Sequence, residues 1–424
     1  MKNICLIKPR ITGFLNNKTD IPHGLLCLGS ALEASGYNVK ILDLTEKLYD
    51  IIPEADLYGI TSYTIFYDEC LKIKDWIRKN RQSKAVIVVG GPHASILYDA
   101  MVNDGFDYIF TGEGEKTFPT IIESLIDKSY SDIIIKGECV DNIDEYVLNY
   151  QLVDPDFYTR GTNNDKTISI ISSRGCPYQC AFCWTANNYR ANVRYKSVKV
   201  VMSEIDEIFR LYGKRNICFL DDSFLSDQKR AFEIMDELKN REIIWECECN
   251  VPHLQNINTC RKLYDTGCRH ILMGVESGSD IMLKQMNKPQ TSKTIRKAVE
   301  NIKATGDIVI RASIMVGFPG ETWETLKESV DFLVSLNFDE YTLYTFTPFP
   351  GTDPYSNREK YGITKITDDF SNFYLIKGDA ESSYSFETKN LNPAILEQMR
   401  NYVKARLDER FISSAKMNVR ISKT

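Results

Sequence analysis

From its first residues the chain alternates short apolar runs with stretches of helical period. Asn3 to Lys8 is one such run. Gly24 to Ser35 then carries Leu25, Leu28, Ala31 and Leu32 at helical spacing before Gly36, a fitting C-cap. Further runs fall at Tyr37–Asp43, Leu57–Ser62, Ala85–Gly90 and Asp107–Thr111, with helical stretches at Glu69–Asn80 and Glu115–Ile126. Strands apolar throughout and separated by helices belong to a parallel sheet covered on both faces. The pattern predicts an α/β fold in which residues 1–130 form a doubly wound, flavodoxin-like domain. Its ligand crevice should lie beyond the carboxyl ends of the strands.

The alternation breaks over residues 131–165, which read as a joint between domains. Ile133 to Cys139 suits an edge strand or hairpin, Asn149 to Tyr158 has no clear period, and Arg160 to Lys166 is polar and turn-rich. Over residues 166–350 the alternation resumes. Strands are predicted at Thr167–Ser172, Ile217–Asp221, Ile243–Glu248, His270–Glu276, Ile308–Val316 and Tyr341–Phe346, with helices at Ser197–Tyr212, Gln228–Arg241, Thr259–Thr266, Lys293–Thr305 and Thr322–Leu336. This predicts a partial (β/α)6 barrel with its chemistry at the carboxyl ends of the strands. Residues 351–424 form a small, mainly helical region. There Asp368–Tyr374 and Ser382–Phe386 carry aromatics in loop-like settings, Asn392–Phe411 reads as a packing helix, and the tail from Lys416 is basic and loose.

Directly after the first barrel strand stands Ser173-Arg-Gly-Cys176-Pro-Tyr-Gln-Cys180-Ala-Phe-Cys183-Trp184. A C-x3-C-x2-C loop can wrap three thiolates around three corners of an iron–sulfur cube and leave the fourth iron without a protein ligand. Catalytic metal sites keep such an open position, whereas structural ones close it. The competing reading is a zinc knuckle, which would need a distant fourth ligand such as Cys139 or His253. Disulfides are the other competitor. The remaining nine of twelve cysteines (Cys5, Cys27, Cys70, Cys139, Cys218, Cys247, Cys249, Cys260 and Cys268) are scattered, mostly within apolar elements, as free thiols in a reducing compartment would be.

Composition narrows the classes further. The 424 residues suffice for two or three domains, and 43% hydrophobic with 26% charged residues is ordinary for a globular chain. A net charge of −6 disfavours nucleic acid as a partner. No apolar run of membrane-spanning length appears, and the start reads as a strand rather than a signal peptide, so a cytoplasmic location is expected.

The ends of the other predicted barrel strands are polar or glycine-rich. They carry Asp221-Asp222-Ser223, Glu248-Cys-Asn250, Glu276-Ser-Gly278, Gly317-Phe-Pro-Gly320-Glu321 and Thr347-Pro-Phe-Pro-Gly351. Any one of these residues can be a helix cap, Ser223 and Ser279 among them. In the first domain glycines crowd the strand ends, as Gly90-Gly91-Pro-His93 and Gly112-Glu-Gly114-Glu115, and Pro22-His23-Gly24 precedes the first helix. Singly, each suits an ordinary tight turn.

Taken together, these motifs resemble those of the cobalamin-dependent radical SAM enzymes. The cysteine loop is similar to that family's C-x3-C-x-aromatic-C, with Phe182 in the aromatic place. The resemblance implies that Cys176, Cys180 and Cys183 hold a 4Fe–4S cluster whose open iron binds S-adenosylmethionine. Reductive cleavage would then give a 5′-deoxyadenosyl radical. It implies S-adenosylmethionine contacts at Phe182, Asp221 or Asp222 (the amino group), Glu276 (the ribose), and Gly317, Gly320 and Thr347 (adenine). It implies cobalamin contacts at Gly24, Gly90, Gly91, His93, Gly112, Gly114 and Glu115. The family's Asp-x-His-x-x-Gly motif, which places a histidine under cobalt, is missing after the first strand, where Lys8-Pro-Arg-Ile-Thr-Gly13 stands. The second-strand motif also departs from the Gly-Gly-Glu form. The implied activity is methylation of an unactivated carbon or phosphorus centre of a small molecule or natural-product precursor, with a flavodoxin- or ferredoxin-type electron donor. Ring rearrangement or cyclisation is an alternative within the family. A corrin-free methylthiotransferase would want three more clustered cysteines, and Cys5, Cys27 and Cys70 lie on separate elements. A cobalamin or cluster carrier would not need so many ligand groups at its strand ends.

Overall fold

The computed structural model describes residues 1–10, 20–45, 47–81, 84–158, 167–188, 192–373 and 384–413. The turn read at 160–166, the tail from 416, and parts of the 8–13, 368–374 and 382–386 readings lie outside these residues. The chain divides into two compact units. The first takes the described residues up to Tyr158 together with Glu204–Gly213, and the second takes the rest.

The first unit is a sheet of β1 (Asn3–Lys8), β2 (Asn38–Asp43), β3 (Leu57–Thr61), β4 (Val86–Gly90), β5 (Tyr108–Thr111) and β6 (Ile134–Lys136). Their order is β2-β1-β3-β4-β5-β6, and every neighbouring pair is parallel. Helices α1 (His23–Ala34), α2 (Tyr67–Asn80), α3 (Pro92–Met101) and α4 (Phe118–Ile126) connect them. Successive strand residues point to opposite faces. Ile4, Leu6, Val86, Val88 and Phe110 share a core with Leu25, Leu32, Phe118 and Ile122. Their neighbours Cys5, Ile7, Ile87, Val89 and Ile109 are equally buried. Burial on both faces is the reason these strands read as unbroken apolar runs. The strand order reverses between β1 and β3, the place where doubly wound sheets take ligands.

Two features depart from the sequence pattern. Helix α3 was not predicted, because Gly90-Gly91-Pro92 reads as a turn. Gly91 at φ +95° is the N-cap and Pro92 stands in the first turn, so the breaker signal marks a helix start. Residues 131–158, read as a joint, lie within the first unit: β6 completes the sheet edge, and Ile135 and Leu152 pack on its core.

The second unit opens with β7 (Thr167–Ile170). Short strands β8 (Ser173–Arg174) and β9 (Arg194–Tyr195) pair antiparallel, with the cysteine loop and α5 (Trp184–Asn188) between them in sequence. Next in the chain, α6 (Val198–Tyr212), whose residues from Glu204 belong to the first unit, leads to β10 (Asn216–Phe219), α7 (Gln228–Asn240) to β11 (Trp245–Cys249) and α8 (Ile257–Asp265) to β12 (Cys268–Glu276). The pair α9 (Asp280–Gln285) and α10 (Ser292–Thr305) leads to β13 (Val309–Val316), and α11 (Trp323–Val334) to β14 (Glu340–Thr345). The chain closes with α12 (Asp353–Ser356), an antiparallel pair β15 (Ile363–Ile366) and β16 (Phe386–Thr388), helix α13 (Pro393–Asp408) and β17 (Ile412–Ser413). The predicted six strands form one parallel sheet, β7-β10-β11-β12-β13-β14, and β17 extends it beyond β14.

Alternation along the barrel strands sets what faces where. Trp245, Cys247, Ile271, Met273, Ile310 and Ala312 are buried on one face. The other face carries a polar ladder. His270 Nδ1 lies 3.3 Å from Glu246 and its Nε2 3.3 Å from Glu340, which also takes Arg311 at 2.8 Å. A closed barrel fills this space with branched apolar side chains. Here the partial barrel keeps it polar, down from the strand ends where the site lies. Among the described residues no helix is long and apolar enough to cross a membrane.

Candidate active site

The cysteine loop is held at its root by residues from the next βα unit. Asp221, fully buried just past β10, accepts the Ser172 N–H at 2.6 Å and the Ser173 N–H at 3.1 Å on Oδ1. Its Oδ2 accepts the Ser172 hydroxyl at 2.5 Å. Arg230 of α7 donates to the Ser172 carbonyl at 2.7 Å and to that of Lys196 at 2.6 Å. Gly175 follows at φ +96°, where a Cβ would come 3.1 Å from the Asn192 carbonyl. Asp222 points differently: its Oδ2 accepts the Gly175 N–H at 3.2 Å and its Oδ1 the Thr185 hydroxyl at 2.9 Å. It spans both flanks of the loop and remains exposed as a residue, although partial desolvation raises its pKa.

Within the loop the backbone is engaged and the thiols are left over. The Cys183 N–H donates to Cys180 O at 3.1 Å, and the Ala181 N–H to Met286 O at 2.9 Å. Asn287 Nδ2 donates to Gln179 O at 2.6 Å, and Asn187 Nδ2 to Cys183 O at 2.6 Å. Cys180 is buried, and Cys176, Phe182 and Cys183 are half-buried. Burial pushes all three thiols up, Cys180 to about 12. Metal ligation must therefore supply the energy to deprotonate them. Among the described residues no three Cys, His, Asp or Glu groups converge as ligands of a single ion would. Zinc draws its thiolates to about 2.3 Å of one point, whereas a cube gives each its own iron. His253, the zinc reading's possible fourth ligand, is engaged by the loop's Tyr178, Nε2 to hydroxyl at 3.0 Å, and Cys139 is exposed. Three thiols on a pinned loop fit a cube whose fourth iron takes an outside ligand.

At the end of β12, Glu276 adopts φ +64°, a left-handed conformation unusual for a residue with a side chain. The β12–β13 register shifts between Gly274 and Glu276. Strain of this kind tends to sit at functional positions. The Glu276 carboxylate is buried, which raises its pKa against the pull of Lys288, whose Nζ lies 3.5 Å away. After β13, Gly317 at φ +87° donates its N–H to Glu321 Oε2 at 2.6 Å, and burial lifts Glu321 to about 7. A Cβ at Gly317 would meet Leu396 at 2.5 Å, and one at Gly320 would meet Gln285 at 2.6 Å. Thr347 is buried beyond β14, its hydroxyl 3.4 Å from Thr345 O. Phe346 beside it packs edge-on against Phe318, 5.0 Å between centroids. A cavity of about 770 Å³ adjoins the cysteine loop, lined by Gln179, Ala181, Asn187, Gln285, Gly320 and Tyr361 among others. Sequence reasoning missed Arg230 and Lys288, which lie far along the chain from the cysteines and belong to no motif.

In the first unit the predicted glycines stand at the β4 and β5 ends. Gly91 leaves no room for a side chain, since a Cβ would sit 2.8 Å from the Ser62 carbonyl. At Gly90 a Cβ would meet Phe110 O at 3.5 Å, at Gly112 (φ +80°) Gly137 O at 3.2 Å, and at Gly114 Leu28 at 3.1 Å. Gly24, at the start of α1, has nothing within 4 Å of such a Cβ. Glu115 is buried, and Tyr63 just past β3 is exposed. Gly91, Gly112 and Gly114 are thus glycine because the chain's own atoms leave no room for a side chain, while Gly24 is open. His93 is turned inward: Nδ1 lies 3.1 Å from Thr64 Oγ1, and the ring packs at a tilt against Tyr67, 4.5 Å between centroids. Cys5, Cys27 and Cys70 are buried too, and Cys70 donates to the carbonyls of Thr61 and Phe66.

Burial pulls the His93 imidazole down from 6.5 to about 4. The unfolded chain then takes up a proton that the folded one excludes. The stability that the buried neutral His93 contributes is present above pH 6.5 and is lost as the pH falls toward 4. The expected loss is about 3 kcal/mol. Denaturant titrations of the full chain across this range check it, and His93→Gln should flatten the dependence.

A doubly wound sheet joined in one chain to a partial parallel barrel with a three-cysteine loop defines the class. Residues 20–122 match the family model of the B12 binding domain, and residues 170–333 that of the Radical SAM superfamily. This is a cobalamin-dependent radical SAM enzyme. Within that class the chain belongs to the methyltransferase family. It is 30% identical over 362 residues to Uncharacterized methyltransferase PH0819 of Pyrococcus horikoshii, covering 79% of this chain and 77% of that one. It is 24% identical to Bacteriochlorophyllide d C-8(2)-methyltransferase of Chlorobaculum tepidum, over 89% of this chain and 85% of the relative. Its fold is that of the radical S-adenosylmethionine methyltransferase TsrM from Kitasatospora setae, solved with cobalamin and a 4Fe–4S cluster bound. The TM-score is 0.70 at 17% identity, covering 96% of this chain and 88% of that one. The cofactors of the family are the 4Fe–4S cluster, S-adenosylmethionine and cobalamin.

Proposed function

We propose that the enzyme methylates an unactivated carbon, or a phosphorus centre, of a small molecule or natural-product precursor. When bound, cluster, S-adenosylmethionine and cobalamin supply an electron, a primary carbon radical and a methyl group. The chain's own part is to bind, orient and exclude water. Cys176, Cys180 and Cys183 would hold the cluster. Asp222 is our choice for the ammonium of S-adenosylmethionine, because Asp221 is fully buried and holds three donors of Ser172 and Ser173, whereas Asp222 remains exposed. Glu276 would accept the ribose hydroxyls. Gly317 and Gly320 would let adenine approach the backbone, with Phe182 and Thr347 beside it. Gly24, Gly90, Gly91, Gly112, Gly114 and Glu115 would line the corrin. A flavodoxin- or ferredoxin-type donor would deliver the electron.

The observation that carries the reading is the cavity against the cysteine loop. Its volume of about 770 Å³ is that of a small-molecule site, and its lining mixes amide side chains with Phe318 and Tyr361. The test supplies S-adenosylmethionine labelled in its methyl group to the reduced enzyme with candidate substrates drawn from the neighbouring genes' products. The expected result is a labelled product formed in step with 5′-deoxyadenosine. A rearranged or cyclised product without label, formed in step with 5′-deoxyadenosine, would overturn methylation while keeping the radical chemistry.

A further inference from the structure

Glu276 stands at the centre of a three-residue turn, because the Ser277 N–H returns to Val275 O at 2.8 Å. With φ +64° at its centre, this γ-turn is of the rare, strained hand. A residue with a side chain keeps such a conformation only where its surroundings over-determine it. After the turn the chain is pinned to α11: the Gly278 N–H donates to Ser329 Oγ at 2.7 Å, and a Cβ on Gly278 would meet the Ser329 carbonyl at 2.6 Å. Before the turn the partner is Gln290. Its Nε2 donates to Gly274 O and to Val275 O, both at 2.9 Å. The Val275 carbonyl therefore takes the closing bond of the turn and a bond from Gln290 together. These carbonyls stand where the β12–β13 register shifts, so Gln290 binds where the regular ladder is interrupted. Gln290 is buried, and it comes one residue before Thr291, whose side chain caps α10. Its amide can sit only one way round, since a flip would set its oxygen against two carbonyls. The Oε1 that results has no hydrogen-bond partner among the described residues. An apolar side chain of the same length would fill this space without burying an unpaired oxygen, so the two N–H bonds are what the glutamine supplies.

We infer that Gln290 is a positioning residue: its amide N–H groups hold the strained turn that aims the Glu276 carboxylate at the nucleotide. The inference rests on the proposed contact between Glu276 and the ribose. Without the amide, the peptides of Gly274 and Val275 lose the bonds that keep them turned. Glu276 then relaxes toward the extended conformation usual for a strand residue, and its carboxylate leaves the place from which it would accept hydroxyl bonds. A glutamine that only filled space or stiffened the barrel would not act through Glu276.

The test is calorimetric titration of S-adenosylmethionine into full-length protein reconstituted with iron and sulfide and left oxidised, so that the nucleotide binds without being cleaved. Gln290→Met keeps the volume and removes both N–H groups. It should weaken binding by about tenfold, as the loss of one bond to an ionised group would. In a Glu276→Ala background the same substitution should add less than about twofold, because its effect runs through Glu276. Where Glu276→Ala itself weakens binding, unchanged affinity in Gln290→Met overturns the inference, and so does a full further loss in the double variant. Glu276→Ala with wild-type affinity would sink the ribose contact instead, so the two failures are told apart. Thermal melting then decides for Gln290, as it does if Gln290→Met binds no iron. Glycine adopts φ +64° without strain, so Glu276→Gly should return most of the melting midpoint that Gln290→Met loses. No return overturns the inference.

Discussion

Replacing Cys180 with alanine is expected to abolish reductive cleavage of S-adenosylmethionine, lowering 5′-deoxyadenosine formation by at least about a thousandfold. The reasoning is geometric. In the proposed ligand set each of the three thiolates would hold one corner of the cube, and Cys180 is the most buried of the three. Removing it would leave a second iron without a protein ligand. Groups that act as a unit fail together, so losing one should cost nearly as much as losing all. The pinned loop cannot recruit a substitute easily, because its backbone is tied to Met286, Asn287 and Asn187. Corrin binding should survive, since its expected residues belong to the other compact unit. Iron content, corrin absorbance and 5′-deoxyadenosine measured on one preparation check all three points. Retained 5′-deoxyadenosine formation would remove Cys180 from the ligand set.

The second large effect is expected at Asp221. Alanine there strands three donors, the N–H groups of Ser172 and Ser173 and the Ser172 hydroxyl, in a place with no access to water. Leaving a buried donor unsatisfied costs about 1–3 kcal/mol. Asp221→Ala should therefore lower the denaturation midpoint and the bound iron together. Asp222→Asn should keep the iron and weaken S-adenosylmethionine binding by roughly tenfold, the worth of one charge-assisted contact. Calorimetric titration of the nucleotide into both variants separates the roles. An Asp221 variant that keeps its iron and loses only nucleotide affinity would reverse the assignment.

These neighbouring aspartates show how far the sequence could be read. The strands were legible, because two-sided burial forces unbroken apolar runs, and the cysteine spacing is local chemistry on which a cluster could be proposed. Which of Asp221 and Asp222 turns inward was not legible, because it depends on Ser172, forty-nine residues earlier and brought close only by the parallel pairing of β7 with β10. Lys288 was hidden for a related reason. It reaches the site through a turn after a six-residue helix too short to announce itself by periodicity. Arg230 arrives from the first turn of α7 and reads in sequence as an ordinary surface charge. Helix α3 was lost because proline and glycine signal both turns and helix starts. The strands β15 to β17 are too short to carry an alternation, and their pairing is set by tertiary contacts rather than local preference.

The most direct measurement is the spectrum of the oxygen-free, reduced protein before and after adding S-adenosylmethionine, taken with its metal content. The account expects about four irons per chain on the three-cysteine loop. It also expects an electron paramagnetic resonance signal that shifts when the nucleotide's amino and carboxylate groups occupy the open iron. Protein carrying zinc and no iron, or an iron signal indifferent to the nucleotide, would contradict it.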